Sequence, residues 1–215
     1  MQQLVSPFVP FPNIFWWSLA QNCTVVTFDQ AEHFEKMSYR NRYYITGANG
    51  LIQLSIPLQR GRNQRLPMHE VKIDYSERWQ AQHWRTIFSV YGKSPFFEHY
   101  APVIESLYNK CYERLIDFSK ATVDAVKKEL ELKFEEDIAI EYKKDYSDCI
   151  DIRKMFKPGV EKTPIQNNLY YQLFEERNGF FPNLSILDLL FSEGPASTAV
   201  MKQHADVINT WGSIE

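Results

Sequence analysis

A strand, a stiff proline-rich turn, a short helix and a second strand follow one another within the first thirty residues. Gln3–Ser6 reads as a strand, and Pro7, Pro10 and Pro12 each fix their own φ and restrict the residue before them, so the next segment is not helical. Asn13 is a plausible cap for a helix over Ile14–Ala20, and Thr24–Phe28 reads as a buried strand ending at Asp29. A connection this short that passes through a helix predicts a βαβ unit with parallel pairing. The fold class that follows is α/β: a mainly parallel sheet started by the N-terminal βαβ unit, with a β-hairpin and a helical C-terminal two-thirds. Ligands of such sheets collect beyond the carboxyl ends of the strands, here the Ser6–Pro12 loop and Asp29.

Charge separates one region from the rest. From Lys36 to His69 there is no acidic residue, yet the stretch holds Lys36, Arg40, Arg42, Arg60, Arg62 and Arg65 in a chain of net charge −3. The same stretch reads as a hairpin, Arg42–Thr46 and Leu51–Pro57 about a turn at Gly47–Gly50, followed by a loop from Gln59 to His69. A planar guanidinium grips two oxygens at once, so clustered arginines beside backbone amides point to a phosphate- or carboxylate-bearing ligand. With Arg42 in a strand, Arg40 shares its face, and the two cations repel unless an anion or carboxylates lie between them. The alternative is a solvated edge or ion pairs to the acidic remainder. The loop arginines Arg60, Arg62 and Arg65 are weaker candidates, since loop arginines are commonly just exposed.

Further along, Val71–Asp74 reads as a short strand. Ser76 begins a helix with Trp79, His83, Ile87 and Tyr91 on one face, Pro95 a second, and about Tyr112–Leu132 a third. Asp137–Tyr142 reads as a late strand and Lys143–Gln166 as an irregular loop. Asn167 opens a helical stretch over Leu169–Arg177 that stops at Asn178–Gly179, and Leu184–Phe191 is a short apolar helix. Residues 1–193 make one domain and 194–215 a peripheral tail. Hydrophobic content of 44% and aromatic content of 15% suffice for a core. Three scattered cysteines, Cys23, Cys111 and Cys149, form neither a zinc pattern nor a disulfide framework, which fits a reducing cytoplasm. No apolar run reaches transmembrane length and the N-terminus has no signal-peptide pattern. Phe15-Trp16-Trp17 reads as a buried helix, or alternatively as a foot on a membrane surface.

Pro7-Phe-Val-Pro10, Val25–Gln30, Ser38-Tyr-Arg-Asn-Arg42, Leu54-Ser-Ile-Pro57, Trp79 with His83 and Tyr91, Ser94-Pro-Phe-Phe97, and Leu184–Phe191 followed by Gly194 occur here in a telling order. In that order and spacing the chain resembles the WbqC-like family, bacterial proteins often encoded with surface-polysaccharide genes. The resemblance implies a role in polysaccharide or amino-sugar metabolism, with amide-forming acyl or aminoacyl transfer to an amino sugar as one suggestion. The chain departs from the pattern at Ser6, where the family carries Gln, and at Phe11–Phe15, where it tends to have Trp-Gly-Tyr.

Asp29 can act as a base, hold Mg²⁺ or accept a sugar hydroxyl, or simply cap a turn. His83 suits general-base work, although a histidine on an apolar helix face is more often a satisfied core residue. Ser6, Arg40, Asn41, Arg42 and Tyr91 are the substrate-binding candidates, and Asp188, in an apolar segment, requires a buried partner, expected to be a hairpin-region arginine. No G-x-S-x-G elbow surrounds Ser185, and neither a P-loop nor G-x-G-x-x-G is present. Nucleotidyltransferases of the doubly wound class place two histidines at the helix after the first strand, and Met1–Glu32 has none. The sequence names no cofactor and no metal site. The expected partner is an anionic small molecule, a nucleotide sugar or sugar phosphate. No nucleic acid is expected, because the basic character is local, and an oligomer stays open. Two functions therefore stand: an enzyme acting on an anionic sugar, or a scaffold of a polysaccharide assembly that exposes Phe15-Trp16-Trp17.

Overall fold

The computed structural model describes residues 2–61, 63–154 and 170–211. Strand β1 (Gln3–Pro7) pairs parallel with β2 (Val25–Asp29), Leu4 opposite Val26 and Pro7 opposite Asp29. Helix α1 (Ile14–Ala20) connects them. It starts where Asn13 accepts the Trp16 amide at 3.0 Å, and every one of its residues is buried. The expected βαβ unit is thus present. It grows into a four-stranded, all-parallel sheet, β5–β2–β1–β6, with β5 over Glu135–Ala139 and β6 over Ile150–Asp151. Leu4, Val5, Val26 and Phe28 are all buried, as central parallel strands covered on both faces require.

The hairpin, β3 (Arg42–Gly47) and β4 (Gly50–Ser55), forms a separate antiparallel sheet. Its Tyr44 carbonyl accepts the Ser185 amide at 2.8 Å, which docks it beside the start of α6 (Ile186–Glu193). Three consecutive helices follow: α2 (Trp79–Tyr91), α3 (Phe97–Tyr108) and α4 (Leu115–Glu129). Trp79, His83, Ile87 and Tyr91 form the buried face of α2 as their spacing demands.

Several expectations need correction. Helix α2 starts three residues late, because Asp74 takes the Ser76 amide at 2.8 Å in a local turn. Val71–Asp74 makes only isolated bridges, Leu58 to Ile73 and Lys72 to Arg114. The stretch read as a loop from Lys143 contains β6. Of the helix expected over Leu169–Arg177, the part before Tyr170 lies outside the described residues, and helix forms only as α5 (Glu175–Asn178). The segment from Gly194, expected to be peripheral, carries α7 (Ser197–Trp211). Val200, Met201, His204 and Ala205 recur at helical spacing and are buried, with His204 Nδ1 2.9 Å from Ser18 Oγ of α1. Among the described residues no helix is long and apolar enough to cross a membrane.

Candidate functional site

The carboxyl ends of the parallel strands deliver loops to one edge of the sheet. Asp29 closes β2, and its Oδ1 accepts the Ala31 and Glu32 amides, both at 2.9 Å. That turn sets Glu32 beneath Arg40, which sits in a single 3₁₀ turn (Tyr39–Asn41) capped by Ser38. The Arg40 guanidinium is bidentate on Glu32, Nε at 2.9 Å and Nη2 at 2.6 Å, and its Nη1 lies 3.5 Å from Glu35. Just past β6, Arg153 is held in the same manner. Its Nε donates to Asp151 Oδ1 at 2.9 Å, its Nη2 to Asp151 Oδ2 at 2.6 Å, and its Nη1 to Asp29 Oδ2 at 2.6 Å. The Lys143 carbonyl takes Nη1 at 2.8 Å, and the Tyr146 ring lies 4.6 Å from the guanidinium carbon. Arg40 Nη2 reaches the Arg153 carbonyl at 3.3 Å, so the two clusters join.

Above this network is a cleft of about 340 Å³ lined by Glu32, His33, Phe34, Glu35, Arg40, Arg65, Tyr142, Arg153 and Lys154. Its floor is buried, with Asp29 at 0%, Arg40 at 3% and Arg153 at 4% exposure, and its two guanidiniums are met by the carboxylates of Glu32, Glu35, Asp29 and Asp151. Its rim is open, and Arg65 and Lys154 are exposed there without an ion pair to any other described residue. Burial holds the Glu32 carboxyl above its usual range, against the opposing pull of Arg40. Burial also acts upward on Asp151, yet the Arg153 hydrogen bonds bring it below its usual value. Hydrogen bonding to Asp151 raises the affinity of Arg153 for its proton, so this guanidinium is a permanent cation. Among the described residues no group of three or more His, Cys, Asp or Glu side chains could hold a metal ion.

The sequence candidates divide sharply. Asp29 and Arg40 meet at this edge, Asp29 below the cleft and Arg40 in its wall. The other candidates lie elsewhere. Ser6 is buried, accepting Trp16 Nε1 at 2.7 Å and donating to the Pro7 carbonyl at 2.8 Å. Asn41 clamps the hairpin by donating to the Ile56 carbonyl at 3.0 Å. Arg42 does not share a face with Arg40, because the 3₁₀ turn breaks the alternation; its Nη1 donates to Gln53 at 3.2 Å. His83 donates from Nε2 to the Ser55 carbonyl at 3.2 Å, which leaves Nδ1 to accept from Tyr43, itself bonded to Tyr108. Burial lowers the His83 pKa to about 4, and it is a core residue away from the cleft.

Asp188 is fully buried, but among the described residues its partners are not basic. Tyr91 donates to Oδ1 at 2.6 Å and Tyr170 to Oδ2 at 2.7 Å, and Gln172 Nε2 in turn donates to the Tyr170 oxygen at 2.9 Å. In place of the expected ion pair stands a carboxylate between two phenols, and Tyr91 is fully buried with its hydroxyl on Asp188. Burial raises the Asp188 pKa to about 6, against the lowering influence of the two hydroxyls. Phe15, Trp16 and Trp17 are core residues, so the apolar patch required of the scaffold reading is not formed by them.

The sequence reading missed Glu32, Asp151 and Arg153. The one signal for Arg153 was the alternation Ile150-Asp-Ile-Arg, too short to stand out from the polar run around it. Nor does the acid-free interval escape local quenching, since Glu32 and Glu35 lie just before it and both meet Arg40. The sequence model of the WbqC-like protein family matches residues 6–157, more than half of the chain. No curated protein and no solved structure matches.

Proposed function

The chain belongs to the WbqC-like protein family, and from that premise we propose that it is a transferase acting on an anionic, nucleotide-activated or phosphorylated sugar at the sheet-edge cleft. Membership suggests a polysaccharide-related role. The observation that carries the finer reading is the contrast between floor and rim. Several ionised side chains are desolvated beneath the cleft, an arrangement that hydrophobic side chains of similar size would match or improve on for stability alone. It lies at the strand ends where parallel sheets hold ligands, and the rim adds two cations that have no described carboxylate within ion-pair distance, although Lys154 acts on Asp151 from farther off.

In this reading Arg65 and Lys154 take the phosphate or carboxylate, and Arg40 and Arg153, each already held by carboxylates, fix the shape of the wall behind it. Asp29 acts as a positioning residue: 0% exposed, it holds Arg153 and shapes the Glu32 turn. For amide-forming transfer, the amine of an amino sugar attacks an activated acyl carbonyl, a C–N bond forms and the donor's leaving group departs. His33 and Glu35, both open to the cleft, can accept the amine proton.

A thermal-shift and calorimetric screen with nucleotide sugars and sugar phosphates tests this. A ligand at about 100 times its Kd stabilises by roughly 2.7 kcal/mol, well within reach of the assay. Arg65→Gln is expected to weaken binding without lowering the melting temperature of the empty protein. Binding that is indifferent to both Arg65→Gln and Lys154→Gln, or no binding by wild type across the screen, overturns the assignment.

A further inference from the structure

A second concavity, lined by no residue of the parallel sheet, lies where the start of α2 meets the end of α3. It measures about 560 Å³, and its walls include Tyr75, Trp84, Phe88 and Tyr108, with the cations Arg78 and Arg85 and one carboxylate, Glu77. Phe88 is 58% exposed. Its ring is nevertheless braced: it meets buried Phe97 edge-on at 5.5 Å, and Trp84 stacks on the same Phe97 at 6.0 Å and 16°. Phe97 is anchored in turn against Phe191 of α6 at 5.1 Å. The result is an aromatic platform packed on the core and open to solvent.

Beside it two guanidiniums stand against one carboxylate, Glu77, which makes no ion pair with either of them. Arg78 and Arg85 are exposed, and neither guanidinium makes an ion pair or hydrogen bond with another described residue, although the chain carries more acid than base. Ala81, Arg85 and Phe88 fall on one face of α2 by their spacing, and long side chains on a helix lean toward its N-terminus. That N-terminus has no side-chain cap and no acidic residue in its first turn, so its amides and dipole also favour an anion. Rings packed against Phe97, two guanidiniums without a partner among the described residues and an uncapped helix start converge on one cavity of ordinary ligand size.

We propose that this cavity is a second ligand site, separate from the sheet-edge cleft, for a small anion that carries a flat unsaturated ring, the chemistry of a mononucleotide. The ring lies on Trp84 and Phe88. The phosphate lies between Arg78, Arg85 and the start of α2. Ring stacking tolerates any base, because each has a π face, whereas the guanidinium contact requires the charge.

The test titrates the full-length protein with UMP and AMP by calorimetry and by protein NMR, with uridine and ribose 5-phosphate as ligands that each lack one half. Arg85→Gln alters an exposed side chain and is expected to melt as wild type does; Phe88→Ala also removes the contact with Phe97, so its binding is measured well below its own melting temperature. Each is expected to weaken mononucleotide binding by about tenfold, the loss of one charge-assisted contact or one stacking face. Uridine and ribose 5-phosphate should each bind more weakly than UMP. Failure of both mononucleotides to bind overturns the proposal. So does binding that survives Arg85→Gln but is lost with Arg65→Gln, which would assign the nucleotide to the sheet-edge cleft and leave that reading intact.

Discussion

Replacing Asp188 by asparagine separates the two ways a buried carboxylate can act on stability. Asp188 lies between Tyr91 and Tyr170 with no cation in contact among the described residues, and its pKa is raised by burial from 3.8 to about 6. Its folded pKa therefore exceeds its unfolded one. The native state binds the proton more tightly, stability from this group is complete below about pH 4, and it is lost as pH rises through about 6. A displacement of about two pKa units corresponds to roughly 3 kcal/mol lost in full at neutral pH and above. Over the accessible range from about pH 5 to about pH 8 the same two values give a loss of about 1.4 kcal/mol. The amide of the Asp188→Asn variant keeps the shape, accepting from one tyrosine and donating to the other, and carries no charge at any pH. The assay is urea unfolding of wild type and Asp188→Asn at several pH values, read as the difference between them. Taking the difference removes other titrations, notably His83 and His204, whose pKa values burial lowers to about 4 and which act in the opposite sense. The variant should gain on wild type by about 1.4 kcal/mol between about pH 5 and about pH 8. Parallel stability curves would refute the reasoning, because they would mean that Asp188 titrates alike in the folded and unfolded chain.

Two further outcomes follow from the same geometry. Arg153→Met removes the cation from Asp29 and Asp151 and strands a fully buried carboxylate, so urea unfolding should show a loss of about 3–5 kcal/mol; a loss under about 1 kcal/mol would place the pair with ordinary surface bridges. Gly194 has φ +54°, and a Cβ there would stand 2.4 Å from Phe96 Cδ1. Gly194→Ala should cost about 1–3 kcal/mol from overpacking and backbone strain together, and adding Phe96→Ala should not deepen the loss by the full cost of that second substitution if the clash is real.

Local signals were readable where the determinants are local. Alternation and the proline brackets locate β1, α1 and β2, and the four-residue spacing of Trp79, His83, Ile87 and Tyr91 gives the buried face of α2. Signals failed where partners are remote. β6 is two residues long and exists because Leu4 and Val5 offer it a free edge. Arg153 has meaning only beside Asp29, reached through the sheet rather than along the chain. Asp188 correctly announced a buried partner, but an apolar run cannot say whether that partner is a guanidinium or a pair of phenols. Arg40 and Arg42 were joined by an assumed strand, and one 3₁₀ turn sends their side chains to different sites.

The strand order also sets a schedule. Of the four parallel strands, β1 leaves the ribosome first and β6 emerges only after α4 and β5, so an inner strand of the sheet must wait with one edge unpaired until Ile150 and Asp151 are made. The sheet-edge cleft needs Arg153 from that late segment, which makes it among the later features to assemble. Contacts of such long sequence separation slow folding and leave the open edge free to pair wrongly in the meantime. A nascent chain stalled before Ile150 would therefore hold an N-terminal βα unit with its anionic turn at Asp29 already formed and its cation not yet made.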